Sequence, residues 1–249
     1  MPSTARVAGT AALLLGTVAA GYKLITSGLE PESQLFGPTL VGGDDPNQWA
    51  LTYDDGPNPR STPELLDVLA RHEVRATFFM IGNFVREHRA LVRRVHAAGH
   101  LVGNHTMSHP FLATKPMEVV AREILDCSAL LEDTLGAPVR YFRAPFGARR
   151  PGVLRFVRAH GLTPVQWNAQ GNDWEPIGVT GILSRLESGL ERARRRGRGA
   201  NILLHDGFDE QGGFDRTDTV NATGMLLERA RQEGVRVVRV DAWTEPGPA

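Results

Sequence analysis

From residue 48 onward, short apolar segments alternate with longer segments of helical periodicity. The apolar segments read QWALTY, ATFFMI, HLVGN, RYF, LTPVQW, NILLH and VRVVRV. Glycines follow many of the helical stretches, where a left-handed residue commonly ends a helix. Such alternation indicates repeated βα units with parallel strands, and about seven units favour a closed or nearly closed barrel over an open sheet. The sequence therefore predicts one α/β domain.

The composition permits a sizeable hydrophobic core and argues against a nucleic-acid partner. The chain has 249 residues, of which 41% are hydrophobic, and its formal net charge is zero. Because no overall charge attracts a polyanion, we expect no nucleic-acid partner. The single cysteine, Cys127, excludes an internal disulfide and lies on the apolar face of a helical stretch. We therefore expect a buried structural thiol rather than a nucleophile.

The first 22 residues lie before the alternating strand and helix segments and are not expected to belong to the folded domain. Arg6 precedes the apolar stretch VAGTAALLLGTVAAGY, which contains VAA, a resemblance to a small-residue cleavage site. These features predict a secretory signal peptide in residues 1–22, with an uncleaved membrane anchor as the alternative. We therefore expect an exported protein, located in the periplasm, in the cell envelope or outside the cell.

The rest of the chain divides into three parts. Residues 23–46 contain scattered Gly, Pro and Ser and predict a linker or a segment that wraps the domain. Residues 47–243 are the predicted domain, and residues 244–249 are a C-terminal tail. We expect the protein to be a monomer.

Polar clusters follow five of the predicted strands directly. They are Asp54-Asp55-Gly56, His105-Thr106-Met107-Ser108-His109, Arg143-Ala144-Pro145-Phe146-Gly147, Asn172-Asp173-Trp174 and His205-Asp206-Gly207. In a parallel barrel the carboxyl ends of the strands meet at one rim, where active sites are built. We therefore expect the five clusters to converge in space.

The second cluster suggests a metal site. His105 and His109 have a spacing that closes one helical turn and puts both imidazoles on one side. With a carboxylate from another strand they would form a site of two histidines and one acid for Zn²⁺ or a similar divalent ion. His96 and His100 have the same spacing, but Gly99 separates a helix end from a strand start. His100 would then lie at the opposite end of the barrel, so we interpret His96 and His100 as structural.

Asp54 and Asp55 are adjacent at the end of the first predicted strand, although neighbouring carboxylates repel. A cation between them would remove this repulsion. One carboxylate would then bind the metal, and the other would stay free to take a proton from water. An Asp-rich turn before Gly-Pro is the alternative explanation, but the two histidines favour the metal site.

The five clusters also carry a family resemblance. The motifs TYDDGP, HTMSH, RAPFG, NDW and ILLHD resemble the five ordered motifs of the polysaccharide deacetylases, the NodB-homology family or carbohydrate esterase family 4. The resemblance spans residues 52–206 and implies a distorted (β/α)7-type barrel, similar to a TIM barrel. It implies a metal-dependent hydrolase that removes N-acetyl groups from a glycan containing N-acetylglucosamine, such as chitin oligomers, peptidoglycan or an exopolysaccharide.

The resemblance implies a role for each residue around the metal. Asp54 would be the general base, and Asp55 would be a metal ligand together with His105 and His109. His205 would be the general acid that protonates the departing amine. The cofactor would be one divalent metal ion, with Zn²⁺ as the first choice and Co, Ni, Mn or Fe as alternatives.

The same resemblance implies the residues that position the base and the substrate. Arg143 would hold and tune the base, and the backbone near Phe146 would help to bind the oxyanion. Trp174 would form one wall of the sugar groove. Leu203 or Leu204 would line the pocket for the acetyl methyl group.

The fourth motif departs from the family pattern, which is usually D-x-x-D-W. Gln170 stands at the position of the first acid, whereas the second acid, Asp173, is retained and is expected among the catalytic residues. Because Gln170 has no charge, we expect the departure to affect the pH optimum and the rate rather than the metal site.

Two other functions remain open from the sequence. An O-acetyl esterase acting on xylan would use the same metal site, so the substrate groove would have to distinguish the two activities. A non-catalytic carbohydrate-binding barrel would be expected to lack the acid or the base, whereas Asp54 and His205 are both present.

Overall fold

The computed structural model describes residues 26–208 and 214–244. The predicted signal peptide or anchor, residues 1–22, lies outside the described residues, as do residues 245–249 of the predicted tail. Across the described ranges, no helix is both long enough and apolar enough to cross a membrane.

Parallel strands form one curled sheet at the centre of the described structure. The strands are β1 (Gln48–Gly56), β2 (Thr77–Met80), β3 (Leu101–Asn104), β4 (Tyr141–Phe142), β5 (Thr163–Pro164), β6 (Ala169–Gln170), β7 (Ala200–His205) and β8 (Arg236–Val238). The order along the sheet is β5-β4-β3-β2-β1-β7-β6, and β8 pairs with the amino-terminal part of β1. This sheet confirms the predicted distorted (β/α)7-type barrel.

Helices follow most of the strands and cover the outside of the sheet. They are α1 (Ser61–Arg71), α2 (Gly82–Glu87), α3 (Arg89–Ala97), α4 (Met117–Leu135), α5 (Pro151–Ala159), α6 (Gly178–Arg195) and α7 (Thr217–Glu233). Short 3-10 turns occur at Leu112–Thr114, Pro145–Gly147 and Val240–Trp243. The short helix α2 and the short strand β6 were not predicted, because neither is long enough to establish a periodicity.

Helix α4 illustrates how the sequence pattern produces the outer layer. Val120, Ile124, Cys127 and Leu131 recur at helical spacing and are all fully buried against the sheet and its neighbours. The helix ends at Gly136, which has a φ of 64° and lies in the left-handed region that glycine adopts without strain. Burial raises the pKa of the Cys127 thiol to about 12, so the group stays protonated and structural, as predicted.

Alternation along β1 separates the apolar layer from the barrel interior. Leu51 and Tyr53 belong to the large core that packs beneath the helices. The intervening residues Ala50, Thr52 and Asp54 point to the other face, because successive strand residues face opposite sides. The interior therefore changes from apolar at Ala50 to polar at Asp54, at the carboxyl end of the strand.

The connection between β5 and β6, the strands at the two ends of the sheet, is hydrogen-bonded to β7. It comprises residues 165–168, and the Asn168 N–H donates to the Asn201 carbonyl at 3.2 Å. Asn201 Nδ2 donates to the Gln166 carbonyl at 2.6 Å, and the Asn201 N–H donates to Asn168 Oδ1 at 2.8 Å. These bonds join the connection to the curled sheet.

The described part of the predicted linker or wrapping segment lies against the barrel. Residues 26–34, which we call the N-terminal strap, begin with a helical turn and run past Arg149. The main-chain N–H of Arg149 donates to the Gly28 carbonyl at 2.9 Å. Leu40 then forms an isolated parallel bridge with Val165.

Candidate active site

The predicted polar clusters converge at the carboxyl end of the sheet. A cavity of about 560 Å³ opens there and contains groups from all five clusters. Its polar wall is formed by Asp54, Asp55, His105, His109 and His205. The predicted convergence of the five clusters is therefore found in the structure.

Asp55, His105 and His109 form a compact group. Asp55 Oδ1 lies 3.3 Å from Nε2 of His105 and 3.3 Å from Nε2 of His109. Across residues 26–208 and 214–244, these three are the ones whose ligand atoms lie close enough to hold a metal ion, within 4.8 Å of one another. Burial acts to raise the pKa of Asp55, but the surrounding imidazoles hold it well below its usual value.

The donor set fits a divalent metal. Asp55 Oδ1 is buried and has no hydrogen-bond partner among the described residues, so its lone pairs are available to a cation. His105 Nδ1 lies 2.9 Å from the Arg143 carbonyl, which can only accept, so Nδ1 carries a proton, and Nε2, 3.3 Å from Asp55 Oδ1, is the ring nitrogen that could bind a cation. Two imidazoles and one carboxylate are ligands typical of Zn²⁺ and related ions.

The segment that carries the two histidines is not the helical turn expected from their spacing. Thr106 and His109 have positive φ values of 69° and 57°, and the segment is an irregular loop. Asn104 Oδ1 accepts from the Thr106 N–H at 2.7 Å, and Thr106 Oγ1 accepts from the His109 N–H at 3.0 Å. Local side-chain hydrogen bonds therefore replace helical ones and still bring both imidazoles to Asp55.

Asp54 is held by a buried arginine. Arg143 is fully buried, and its Nη1 donates to Asp54 Oδ1 at 2.7 Å and to Thr52 Oγ1 at 2.8 Å. Its guanidinium also lies over the Phe79 ring, 4.3 Å from the ring centroid. The other oxygen of Asp54, Oδ2, lies 3.7 Å from His105 Nε2. Asp54 is thus fixed on one side and faces the three-residue group on the other.

The partly buried His205, at the end of β7, and the buried Asp173 form a second pair that borders the cavity. The main-chain N–H of His205 donates to Asp173 Oδ2 at 2.8 Å, and His205 Nδ1 lies 2.8 Å from Asp173 Oδ1. Thr219 Oγ1 donates to the same carboxylate at 2.7 Å. Burial acts to lower the pKa of His205, but the charge and hydrogen bond of Asp173 outweigh it and raise this pKa to about 9. His205 is therefore protonated at neutral pH.

Aromatic side chains form the outer walls of the cavity. The Phe146 ring lies 4.6 Å from the His109 ring, and the Trp174 ring lies 5.3 Å from the His205 ring, centroid to centroid. Both are exposed, at 55% and 44%. Flat exposed rings beside polar groups are suited to stacking on sugar rings.

The two leucines considered for the methyl pocket face opposite ways. Leu203 lines the cavity, whereas Leu204 belongs to the core beneath the helices and does not reach it. The expectation for Leu204 is therefore wrong, because adjacent residues of β7 point to opposite sides of the sheet. The alternation of side chains could have distinguished the two leucines. Leu203 pairs with Thr52, which lies on the same side of β1 as Asp54, whereas Leu204 pairs with Tyr53 on the other side.

Trp167, Arg216 and Thr219 belong to the surroundings of the site and were not identified from the sequence. Gln170 Oε1 accepts from Trp167 Nε1 at 2.7 Å, so the residue that replaces the first acid of the fourth motif orients an indole. Arg216 is buried and donates from Nη1 to the Asp173 carbonyl at 2.8 Å. Thr219 and Arg216 lie around α7 and carry no local motif, so only the fold could reveal them.

Comparison with known proteins agrees with this geometry. The family model for polysaccharide deacetylases matches residues 42–165. A chitooligosaccharide deacetylase from Rhizobium leguminosarum bv. trifolii is 45% identical over 168 residues, which cover 67% of this chain and 74% of that protein. A peptidoglycan-N-acetylglucosamine deacetylase from Bacillus cereus is 35% identical over 193 residues, covering 77% and 85%.

Solved structures show the same architecture. A crystal structure of a peptidoglycan N-acetylglucosamine deacetylase aligns with a TM-score of 0.73 and 27% identity, covering 82% of this chain and 91% of that one. The Xyl-CE4 domain of a multidomain xylanase from the hindgut metagenome of Trinervitermes trinervoides aligns with a TM-score of 0.66 and 26% identity, covering 79% and 88%.

The curled parallel sheet and the similarity to named deacetylases therefore define the class of protein as a carbohydrate-modifying enzyme. The chain belongs to the polysaccharide deacetylase family, the NodB-homology family that its motifs resemble.

Proposed function

We propose that this chain is a metal-dependent N-deacetylase that releases acetate from N-acetylglucosamine units of a glycan. The observation that carries the proposal is that a base and an acid, each with its own buried partner, line the same cavity as Asp55, His105 and His109. Asp54 is oriented by Arg143. His205 is kept protonated by Asp173. A base and an acid beside a cation site are what amide hydrolysis requires.

The proposed cofactor is one divalent metal ion, held by Asp55, His105 and His109. Zn²⁺ is the first choice for this donor set, and Co, Ni, Mn or Fe would also accept it. When bound, such an ion polarises the acetyl carbonyl and makes water more acidic. Asp55 Oδ1 has no hydrogen-bond partner within the described part of the chain, which supports this assignment because a buried carboxylate oxygen without a hydrogen bond is otherwise costly.

Asp54 is the proposed general base. Arg143 Nη1 donates to Asp54 Oδ1 and is itself held by Thr52 Oγ1. The other carboxylate oxygen, Oδ2, is therefore the one that would take a proton from the attacking water. Arg143 also prevents the carboxylate from rotating away. The main chain at Phe146 and the cation site lie on the same side of the cavity, where they would bind the developing oxyanion.

His205 is the proposed general acid. Because Nδ1 is engaged by Asp173, the proton available to substrate is on Nε2. As the tetrahedral intermediate collapses, the C–N bond breaks and this proton passes to the departing nitrogen. An amine leaves poorly without a proton, so a histidine held protonated at neutral pH supports amide over ester hydrolysis.

The relatives support the proposed substrate class. They are named as deacetylases of chitooligosaccharide and of the N-acetylglucosamine of peptidoglycan. The similarity to a domain of a xylanase keeps O-acetyl xylan as a second candidate. The intact base and acid, and membership of an enzyme family, argue against a non-catalytic binding barrel.

Acetate release from three substrates tests the proposal. The purified full-length protein, loaded with Zn²⁺ or Co²⁺, is incubated with chitin oligomers, peptidoglycan and acetylated xylan. Acetate from either of the first two but not from xylan would support the proposal. Acetate from xylan alone would indicate an esterase, and a folded, metal-loaded protein that releases none from any of them would refute a deacetylase function.

We also propose that the protein is exported, on the basis of the apolar segment in residues 1–22. Mass spectrometry of the protein from its native host tests this. A chain that begins near Gly21 would indicate a cleaved signal peptide, and a chain that begins at residue 1 or 2 in the membrane fraction would indicate an anchor. An intact chain in the cytoplasm would contradict export.

A further inference from the structure

A third carboxyl group lies close to the turn that carries Asp54 and Asp55. It belongs to Asp206, which directly follows His205, is completely buried and has no part in the chemistry proposed above. Burial raises the pKa of Asp206 to about 7, and the charges of Asp55 and Asp54 act in the same direction. Because a buried carboxyl group is costly, we expect Asp206 to make contacts that the fold or the site requires.

The Asp206 side chain holds the turn after β1 against helix α1. Thr62 Oγ1, in the first turn of α1, donates to Asp206 Oδ2, and the same hydroxyl oxygen accepts from the Asn58 N–H at 2.8 Å. The carboxyl group also packs against Gly56, where a Cβ would overlap both of its oxygens. Asp206 and Thr62, which we call the turn clamp, therefore fix residues 56–58.

The main chain of Asp206 joins the ends of two strands. Its N–H donates to the Asp54 carbonyl at 3.1 Å, and the Gly207 N–H donates to the same oxygen at 3.4 Å. In the ladder between β1 and β7, Asp54 lies opposite His205. Asp206 therefore connects the strand end that carries the proposed acid to the strand end that carries the proposed base.

Asp55 needs support that the sheet does not supply. Its φ is 70°, in the left-handed region that a residue with a side chain occupies only at a cost. Such a conformation persists where the surrounding structure fixes it. The ladder between β1 and β2 pairs Asp54 and Gly56 but skips Asp55, and the ladder to β7 ends at Asp54. The turn clamp, which holds the residues directly after Asp55, provides the missing support.

We propose that Asp206 is a positioning residue that, together with Thr62, keeps the Asp55 carboxylate turned toward His105 and His109. The inference rests on the proposed function, because it takes these three residues as metal ligands. The Asp206 side chain is fully buried and does not line the cavity, so it acts through the main chain of the turn. Without the clamp, Asp55 can relax from its positive φ, and its Oδ1 moves away from the two imidazoles.

Metal affinity of Thr62 variants tests the clamp without reference to catalysis. Thr62→Val keeps the shape of the side chain but removes both hydrogen bonds of the hydroxyl group, whereas Thr62→Ser retains the hydroxyl. The dissociation constant of Zn²⁺ is measured for the full-length proteins by competition with a chelator. Thr134→Val is the matched control, because the buried Thr134 Oγ1 donates to the Leu130 carbonyl at 2.7 Å within α4.

We expect Thr62→Val to weaken Zn²⁺ binding about tenfold, and Thr62→Ser and Thr134→Val to stay within about twofold of the unmodified protein. The visible absorption of Co²⁺-loaded Thr62→Val should also change shape, because the Asp55 ligand is displaced. Asp206→Ala removes both the hydrogen bond to Thr62 and the packing against Gly56, so it should weaken binding at least as much. The Thr62 pair decides the question even if Asp206→Ala does not fold.

Equal Zn²⁺ affinity of folded Thr62→Val and the unmodified protein would overturn the clamp. Equal losses in Thr62→Val and Thr134→Val would also overturn it, because they would indicate general destabilisation. Failure of the deacetylase function is read separately, as a lack of acetate release by the unmodified, metal-loaded protein. An unmodified protein that binds no Zn²⁺ would overturn both proposals.

Discussion

Asp173 holds His205 at two atoms, accepting from the main-chain N–H and from Nδ1, each at 2.8 Å. The first bond fixes the position of the strand end, and the second fixes the tautomer and the orientation of the ring. The same carboxylate raises the pKa of His205 to about 9 against the effect of burial. Activity that requires protonated His205 should therefore be present below this pH and fall as the pH rises through it.

Replacing Asp173 by Asn should move this alkaline limb to lower pH. Asn keeps the shape and an accepting oxygen but removes the charge, so the pKa of His205 should fall by about one unit or more. The measurement is kcat/KM for acetate release between pH 6 and 10. Thr219→Val is the matched control, because it removes one hydrogen bond to the carboxylate and leaves the charge. An unchanged alkaline limb in Asp173→Asn would show that another group is the acid.

Metal content should depend on His109 and not on His100. His109→Ala removes one of three donors, so the folded variant should lose most of its metal, measured by mass spectrometry of dialysed protein. His100 instead accepts from the Ala76 N–H at 3.0 Å, away from the site. His100→Asn, whose amide oxygen can keep this bond, should retain metal at the level of the unmodified protein. Stoichiometric metal loss in folded His100→Asn would contradict the assignment.

Replacing Asp54 by Asn should separate catalysis from metal binding. The side chain would still accept from Arg143 but could no longer take a proton, so kcat should fall by about 10²- to 10⁴-fold. Metal content should remain near that of the unmodified protein, because Asp55 supplies the carboxylate ligand in the proposed site. Substantial loss of metal with partial activity would indicate that the two aspartates have exchanged roles.

Gly207 should tolerate no side chain. A Cβ at this position would lie 1.9 Å from the Asp55 carbonyl oxygen, so Gly207→Ala must displace the end of β1 or of β7. We expect a loss of about 1–3 kcal/mol in the free energy of unfolding, measured by urea denaturation, together with weaker metal binding. Gly152→Ala in α5 is the control, since its nearest neighbour would lie 3.4 Å away. Equal stability of the two variants would contradict this prediction.

The sequence identified the barrel and the rim because both depend on local pattern. Apolar runs separated by helical segments defined the units, and polar residues directly after the runs could only meet at the carboxyl ends of parallel strands. Asp54, His105 and His205 were assigned to the rim in this way, and all three line the cavity. The placement of these residues depends on the topology of the sheet. A regular alternation of strands and helices nearly determines that topology.

The errors and omissions arise where tertiary contacts override local pattern. The spacing of His105 and His109 suggested a helical turn, but hydrogen bonds from Asn104 and Thr106 favour an irregular loop with positive φ. The strap has no periodicity at all, and its course is determined by Arg149, more than one hundred residues later in the chain. The two partners of such a contact are too far apart in the sequence for a local pattern to include both.

Arg143 links the two halves of the proposed chemistry within a single residue. Its guanidinium grips Asp54 at 2.7 Å, and its own carbonyl receives the proton of His105 Nδ1 at 2.9 Å. Arg143 therefore positions both the proposed base and a proposed metal ligand. Replacing its side chain alone would remove the bond to Asp54 and leave the main-chain bond to His105 in place, so these two roles of one residue can be separated by mutation.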